Sequence, residues 1–281
     1  MKKIARCPHK LILFGEHSVL NNSKCIALCI NKYGELFISS EKVSNILVKD
    51  LKNQGFVFSV NKLKKHPLSD NFDSIIKLNY HLGCGLGSSA VISLLSSVAL
   101  YYNSKQNWEL IYKKADEIED YFHFKSSGVD IATIKTGGLI SFQSKNIEHI
   151  DPQFLINFDI IIYNSNISKD TGKTILMDLN EKENNYIKLG KLAEEAYNLI
   201  KYGFKLKDFY DLVKQAQKVL EDLGVVPDIM KKEVRKMREK GIECKLTGAG
   251  NGGHLFTLVE RGMIFENWER VNIDLVGLVL E

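Results

Sequence analysis

The segment Gly83-Cys84-Gly85-Leu86-Gly87-Ser88-Ser89 runs directly into an apolar stretch of helical length, Ser88 to Tyr102. Glycines permit tight turns that bring backbone N–H groups against an anion. A helix N-terminus adds unpaired donors and the positive end of a dipole. Gly83, Gly85, Leu86, Gly87, Ser88 and Ser89 are therefore candidates for holding phosphate. The two serines can cap the helix or offer a hydroxyl to a metal ion. A flexible loop with a serine cap is the competing reading of the same residues.

A second glycine-rich run, Lys245-Leu246-Thr247-Gly248-Ala249-Gly250-Asn251-Gly252-Gly253, formally matches a dinucleotide-binding fingerprint. A β-like run, His254 to Val259, follows where that fingerprint needs a helix, so the match is rejected. Asp170-Thr171-Gly172-Lys173-Thr174 looks like the end of a Walker A loop, but Ile167 stands where its first glycine belongs.

These segments need a scaffold, and the composition supplies one. The chain has 281 residues, 44% hydrophobic and 26% charged, with 20 Gly and 4 Pro, which excludes disordered and collagen-like classes. At about 150 residues per domain the length suggests two domains. A net charge of +4 is too mild for a nucleic-acid binder, and none is expected as a partner. The five cysteines are scattered without a CxxC pair, as expected of buried thiols in a reducing cytoplasm. Leu82 to Asn103 lacks charge and approaches membrane-spanning length, but its glycines and serines argue for a buried helix and against a membrane partner.

Short strands are expected at Lys10–Phe14, Ile26–Ile30, Gly34–Ser40, Asn45–Leu51 and Gly55–Val60, with a loop from Asn61 to Asp73. Helices follow at Ser88–Tyr102 and Asn107–Phe124, and a strand at Leu139–Gln143. Pro152 marks the candidate boundary between domains 1–152 and 153–281. Beyond it come a strand at Phe158–Tyr163, helices from Tyr186 to about Lys240, and strands near His254–Val259 and Leu275–Leu280. This order, without regular β-α alternation, predicts an α+β fold.

Four elements in order resemble the GHMP kinases, in their mevalonate kinase form. Lys10-Leu11-Ile12-Leu13-Phe14-Gly15-Glu16-His17-Ser18-Val19 is similar to the first signature of that family. Gly85-Leu86-Gly87-Ser88-Ser89-Ala90 is similar to its phosphate loop, and Lys245 to Gly253 to its third signature. Between them, Glu119 precedes Ser127-Gly128-Val129-Asp130 by the spacing seen in mevalonate kinases. His9 departs from the pattern, standing where a glycine is usual, and Asn251 interrupts the last glycine run.

The resemblance implies a two-domain fold, with an N-terminal domain like ribosomal protein S5 domain 2 and a ferredoxin-like C-terminal domain. It implies ATP and Mg²⁺ as cofactors and phosphorylation of the primary hydroxyl of mevalonate, a small-molecule substrate. Phosphomevalonate kinases are the nearest rival, and a silent ligand sensor on the same scaffold is a more distant one. A homodimer is compatible with the resemblance. Asp130 is implied as catalytic base with Lys10 beside it, where the lysine would keep the carboxylate ionised and stabilise a developing alkoxide. Taken alone, Asp130 could cap the helix it opens and Lys10 could be a surface charge, but the place of Lys10 at the head of an apolar strand run speaks against the latter.

Ser89 and Glu119 are implied as Mg²⁺ ligands; Glu117 and Asp120 read as solvated helix charges. Gly248, Ala249 and Gly250 are expected to close over the phosphates. Glu16, His17, Thr171 and Thr247 are expected on the substrate side, His17 either on the mevalonate carboxylate or in a structural hydrogen bond.

Overall fold

The computed structural model describes residues 1–39, 42–102, 107–123, 126–167 and 183–281. Its centre is a pair of long antiparallel strands, β1 (Lys2–Phe14) and β2 (Cys25–Ile38). Much shorter strands were expected here. The register shifts between Pro8 and His9, so a bulge absorbs a proline that could not donate to a regular ladder. Gly34 lies inside β2 because a Cβ there would sit 2.4 Å from Val91; the missing side chain lets a helix close on the sheet.

Around this pair the first sheet runs β13-β1-β2-β6-β3-β4-β5, with β7 (Leu139–Gln143) also on β2 and β8 (Asn146–Ile150) on β7. Its other members are β3 (Asn45–Lys49), β4 (Gly55–Ser59), β5 (Lys64–His66), β6 (Ser74–Leu78) and β13 (Val279–Leu280). Among the described strands only β3 and β6 pair in parallel. The expected loop 61–73 thus contains a strand, β5. It escapes a periodicity test because its three residues, Lys64, Lys65 and His66, are all polar.

Three helices cover one face: α1 (Ser88–Tyr101), α2 (Trp108–Phe122) and α3 (Val129–Thr136). Helix α1 is buried on nearly all sides, serines included. Ser93 and Ser97 bond back to the carbonyls of Ser89 and Ser93, each at 2.8 Å, which satisfies hydroxyls that burial would otherwise orphan. No described helix is long and apolar enough to cross a membrane.

After Pro152 the chain enters a second, antiparallel sheet, β10-β11-β9-β12. Its strands are β9 (Phe158–Asn164), β10 (Lys245–Thr247), β11 (His254–Glu260) and β12 (Trp268–Val271). Helices α4 (Glu183–Tyr202), α5 (Leu206–Asp222) and α6 (Asp228–Arg238) connect its strands. One apolar cluster joins Leu11, Leu13 and Phe14 of β1 to Ile160, Phe209 and Leu255, so the two sheets share a core. The chain then returns to the first sheet, where β13 pairs with β1. The fold is α+β, with all five cysteines buried and free.

Candidate functional site

A cavity of about 480 Å³ opens where the end of β1, the N-terminus of α1 and the turn after β10 meet. Gly83, Gly85, Gly87, Ser88 and Ser89 line one wall, and Gly248 and Ala249 face them. Gly83, Gly85 and Gly87 all have positive φ, between 69° and 83°. That backbone suits glycine and turns alternate peptide groups toward opposite sides. Gly87 is also fixed by proximity: a Cβ there would lie 2.9 Å from Lys10 Cγ and Cε.

Lys10 Nζ lies 3.1 Å from Asp130 Oδ1, the lysine side chain almost fully buried and the aspartate 23% exposed toward the cavity. Asp130 does not cap α3. The Ser126 hydroxyl accepts from the Gly128 N–H at 3.1 Å and Ser127 from the Val129 N–H at 3.4 Å, leaving the carboxylate for Lys10. Its place in the first helical turn adds a favourable dipole. Lys10 is held at its backbone, where its N–H donates to the Leu86 carbonyl at 3.1 Å.

Ser89 Oγ donates to Glu119 Oε1 at 2.9 Å, and Ser93 Oγ shares its one proton between the Ser89 carbonyl and Glu119 Oε2, the latter also at 2.9 Å. Glu119 is buried at 1% exposure while Glu117 and Asp120 point to solvent. The Ser89 hydroxyl and the Glu119 carboxylate are hard oxygen donors side by side, as a small divalent cation requires. His123, four residues after Glu119, was missed by sequence reasoning although that spacing predicts a shared helix face. Its Nε2 lies 3.0 Å from Ser89 Oγ and 3.1 Å from Glu119 Oε1. Burial works against its imidazolium, but the hydrogen bond and charge of Glu119, helped by Asp130, prevail and raise its pKa.

Glu16 lines the cavity floor, fully buried, and one of its oxygens accepts from Lys245 Nζ. Lys245 also donates to the Leu246 carbonyl at 2.8 Å and lies over the rings of Phe14 and Phe256. Burial pushes Lys245 down and Glu16 up, and their mutual attraction opposes both shifts. Glu16 Oε2 has no hydrogen-bond partner among the described residues. His17 lines the same floor and stacks on Tyr186, ring centroids 5.9 Å apart.

Three expected site residues do not face the cavity. Thr247 is fully buried, its hydroxyl accepting from the Ile12 N–H at 3.0 Å and donating to the Ile12 carbonyl at 2.9 Å, so it ties β10 to β1. Leu86 buries its side chain in the core and gives its carbonyl to Lys10 and His9. Gly250 is needed for packing, since a Cβ there would lie 2.6 Å from Val225. Thr171 lies outside the described residues. Gln54, Phe56, Lys65 and Phe122 also line the cavity, from segments whose sequences carry no phosphate-binding signature.

Residues 54–138 match the model of the GHMP kinases N terminal domain. The mevalonate kinase of Methanocaldococcus jannaschii is 28% identical over 288 residues, covering 91% of this chain and 91% of its own. A crystal structure of mevalonate kinase superposes with a TM-score of 0.71 at 20% identity, over 96% of this chain and 99% of that one. A Streptococcus pneumoniae phosphomevalonate kinase in complex with phosphomevalonate and AMPPNP gives a TM-score of 0.72 at 16% identity, over 96% of this chain and 100% of the other. At these identities the structural likeness establishes the fold.

Proposed function

We propose that this chain, whose residues 54–138 match the GHMP kinases N terminal domain and which is similar over most of its length to mevalonate kinases, transfers the γ-phosphoryl group of ATP to the primary hydroxyl of mevalonate. The observation that carries this reading is the Lys10–Asp130 pair, set at 3.1 Å beside a glycine loop that opens a helix. An acceptor hydroxyl, a base and a charge-stabilising cation can thereby meet a polyphosphate. Relatives named mevalonate kinase favour mevalonate over phosphomevalonate as the acceptor.

Phosphoryl transfer asks for positioning and electrostatic stabilisation more than for covalent chemistry. Backbone N–H groups of Gly83 to Ser89 and the α1 terminus would hold the phosphates, with Gly248 and Ala249 closing from the opposite wall. Asp130 would accept the hydroxyl proton as the substrate oxygen bonds to the γ-phosphorus and the bond to the ADP oxygen breaks. Lys10 would stabilise the negative charge that builds on the attacking oxygen. Glu16 and His17 would receive the mevalonate end of the cavity.

The paired oxygens of Ser89 and Glu119 suit Mg²⁺, which keeps much of its water and needs few protein ligands. When bound there, Mg²⁺ supplies charge neutralisation to the phosphates. The division into 1–152 and 153–281 is retained as the proposed domain boundary, β13 excepted, and the buried free thiols support a cytoplasmic setting. The test is turnover of purified protein with ATP and Mg²⁺ on mevalonate and, separately, on phosphomevalonate. Turnover on mevalonate is expected; turnover on phosphomevalonate alone reassigns the substrate, and turnover on neither rejects the reading.

A further inference from the structure

Two histidines that the mechanism above does not use stand behind the glycine loop. His9, on β1, has its Nδ1 3.1 Å from the carbonyl oxygen of Leu86. His254, at the start of β11, has its Nδ1 2.7 Å from the carbonyl oxygen of Cys84. A carbonyl can only accept, so in each ring the proton sits on Nδ1. Both histidines are fully buried, and burial holds His9 down to about 4, leaving it neutral at pH 7.

The pattern alternates along the loop. Gly83, Gly85 and Gly87 line the cavity, whereas Cys84 and Leu86 are buried behind it. The buried residues are the ones whose carbonyls meet the histidines. Tyr80 stands between the two rings, with centroids 6.2 Å from His9 and 5.1 Å from His254, and its hydroxyl donates to Glu269 at 2.6 Å. Gly253 makes room for the contact, since a Cβ there would lie 2.6 Å from the Cys84 oxygen.

A carbonyl oxygen turned toward a polyphosphate repels it; the Leu86 carbonyl also accepts from the Lys10 N–H at 3.1 Å, so His9 adds a second donor on the same side. We propose that His9 and His254 are positioning residues for the nucleotide: by taking the Leu86 and Cys84 carbonyls from behind, they keep those dipoles off the cavity and leave the loop's N–H groups for phosphate. The inference rests on the nucleotide reading of this loop. It gives His9 a task at a position where the family pattern has glycine. It also lets the second sheet, through His254, set the shape of a loop belonging to the first.

The test compares His9→Asn, His9→Gln and His9→Leu, with the same series at His254, by titration calorimetry with ADP and with mevalonate. Asparagine places an amide N–H where Nδ1 was, glutamine carries it one methylene farther, and leucine removes it. We expect Asn variants within ~3-fold of the parent for ADP, and Gln and Leu variants at least ~10-fold weaker, as loss of a buried hydrogen bond implies. Mevalonate affinity should stay put, a split that general loosening of the fold would not produce. Equal ADP affinity across a folded series overturns the inference, as does an Asn variant no better than Gln; should the Leu variant fail to fold, the Asn and Gln pair still decides. A parent protein that binds no ADP overturns the nucleotide reading instead.

Discussion

Lys10 Nζ and Asp130 Oδ1 meet at 3.1 Å across elements 120 residues apart in sequence, the lysine from β1 and the aspartate from the first turn of α3. Both line the cavity, but the aspartate side chain is 23% exposed and the lysine 3%. The geometry assigns the outer group to the substrate and the inner one to charge compensation. Asp130→Ala and Lys10→Met should each lower kcat by at least ~10², the size of general-base and electrostatic contributions. ADP affinity, measured by calorimetry, should change little in Asp130→Ala. Near-normal turnover of that variant would falsify the base assignment.

Gly87 carries two constraints at once, a φ of 78° and the stem of Lys10 against its Cα. Gly87→Ala should cost about 1–2 kcal/mol for the left-handed backbone alone. It should also displace Lys10 and lower kcat. Urea denaturation together with steady-state kinetics reads both; a loss of stability without loss of rate would separate the two constraints.

Removal of metal is the check on Ser89 and Glu119. EDTA should abolish turnover and added Mg²⁺ restore it. Glu119→Gln keeps the shape but removes the negative charge, and should raise the Mg²⁺ concentration for half-saturation by about tenfold or more. Mn²⁺ titration followed by electron paramagnetic resonance measures the same affinity without turnover.

Lys245 and Glu16 form an ion pair with no solvent to screen it. Removing one partner strands a buried charge, at a cost of about 3–5 kcal/mol. Lys245→Met should therefore be strongly destabilised in urea unfolding. Lys245→Met combined with Glu16→Leu should recover much of that loss, because well-packed apolar pairs replace buried ion pairs with little penalty. A double variant as unstable as the single one would mean that packing of the lysine stem, and not its charge, holds this part of the core together.

His9 makes stability depend on pH. Its pKa is about 4 in the fold against an ordinary value of 6.5, so the unfolded chain binds the extra proton first. The contribution is intact above pH 6.5, erodes as pH falls, and is lost once pH passes about 4. That window corresponds to about 3 kcal/mol. His9→Asn should flatten the fall in unfolding free energy over this range, measured by chemical denaturation at successive pH values.

The glycine loop, its helix and the order of the four signatures were legible because they are local. Positive-φ glycines, a serine-rich helix start and an apolar run all declare themselves over a few residues. Strands β5, β10 and β12 were not legible, being three or four residues long and recruited by pairing. Nor could sequence tell a buried carboxylate from an exposed one when Glu117, Glu119 and Asp120 share one helix; the helix's orientation against α1 decides that.

Read alone, the residues fix the α+β class, a resemblance to the GHMP kinases carried by four short signatures, and the residue types able to handle phosphate, since all of these are local properties of pattern, backbone freedom and charge. Tertiary structure decided which of those residues face the cavity. Thr247, Leu86 and Gly250 turn away because their polar or steric needs are met by neighbours on β1 and in the segment after α5. His9, His254 and Lys245 meet the Leu86 carbonyl, the Cys84 carbonyl and Glu16 through contacts between distant segments, and His123 meets Ser89 across the α1–α2 contact. A buried polar group must find its complement wherever the fold places one, and no linear spacing records where that is.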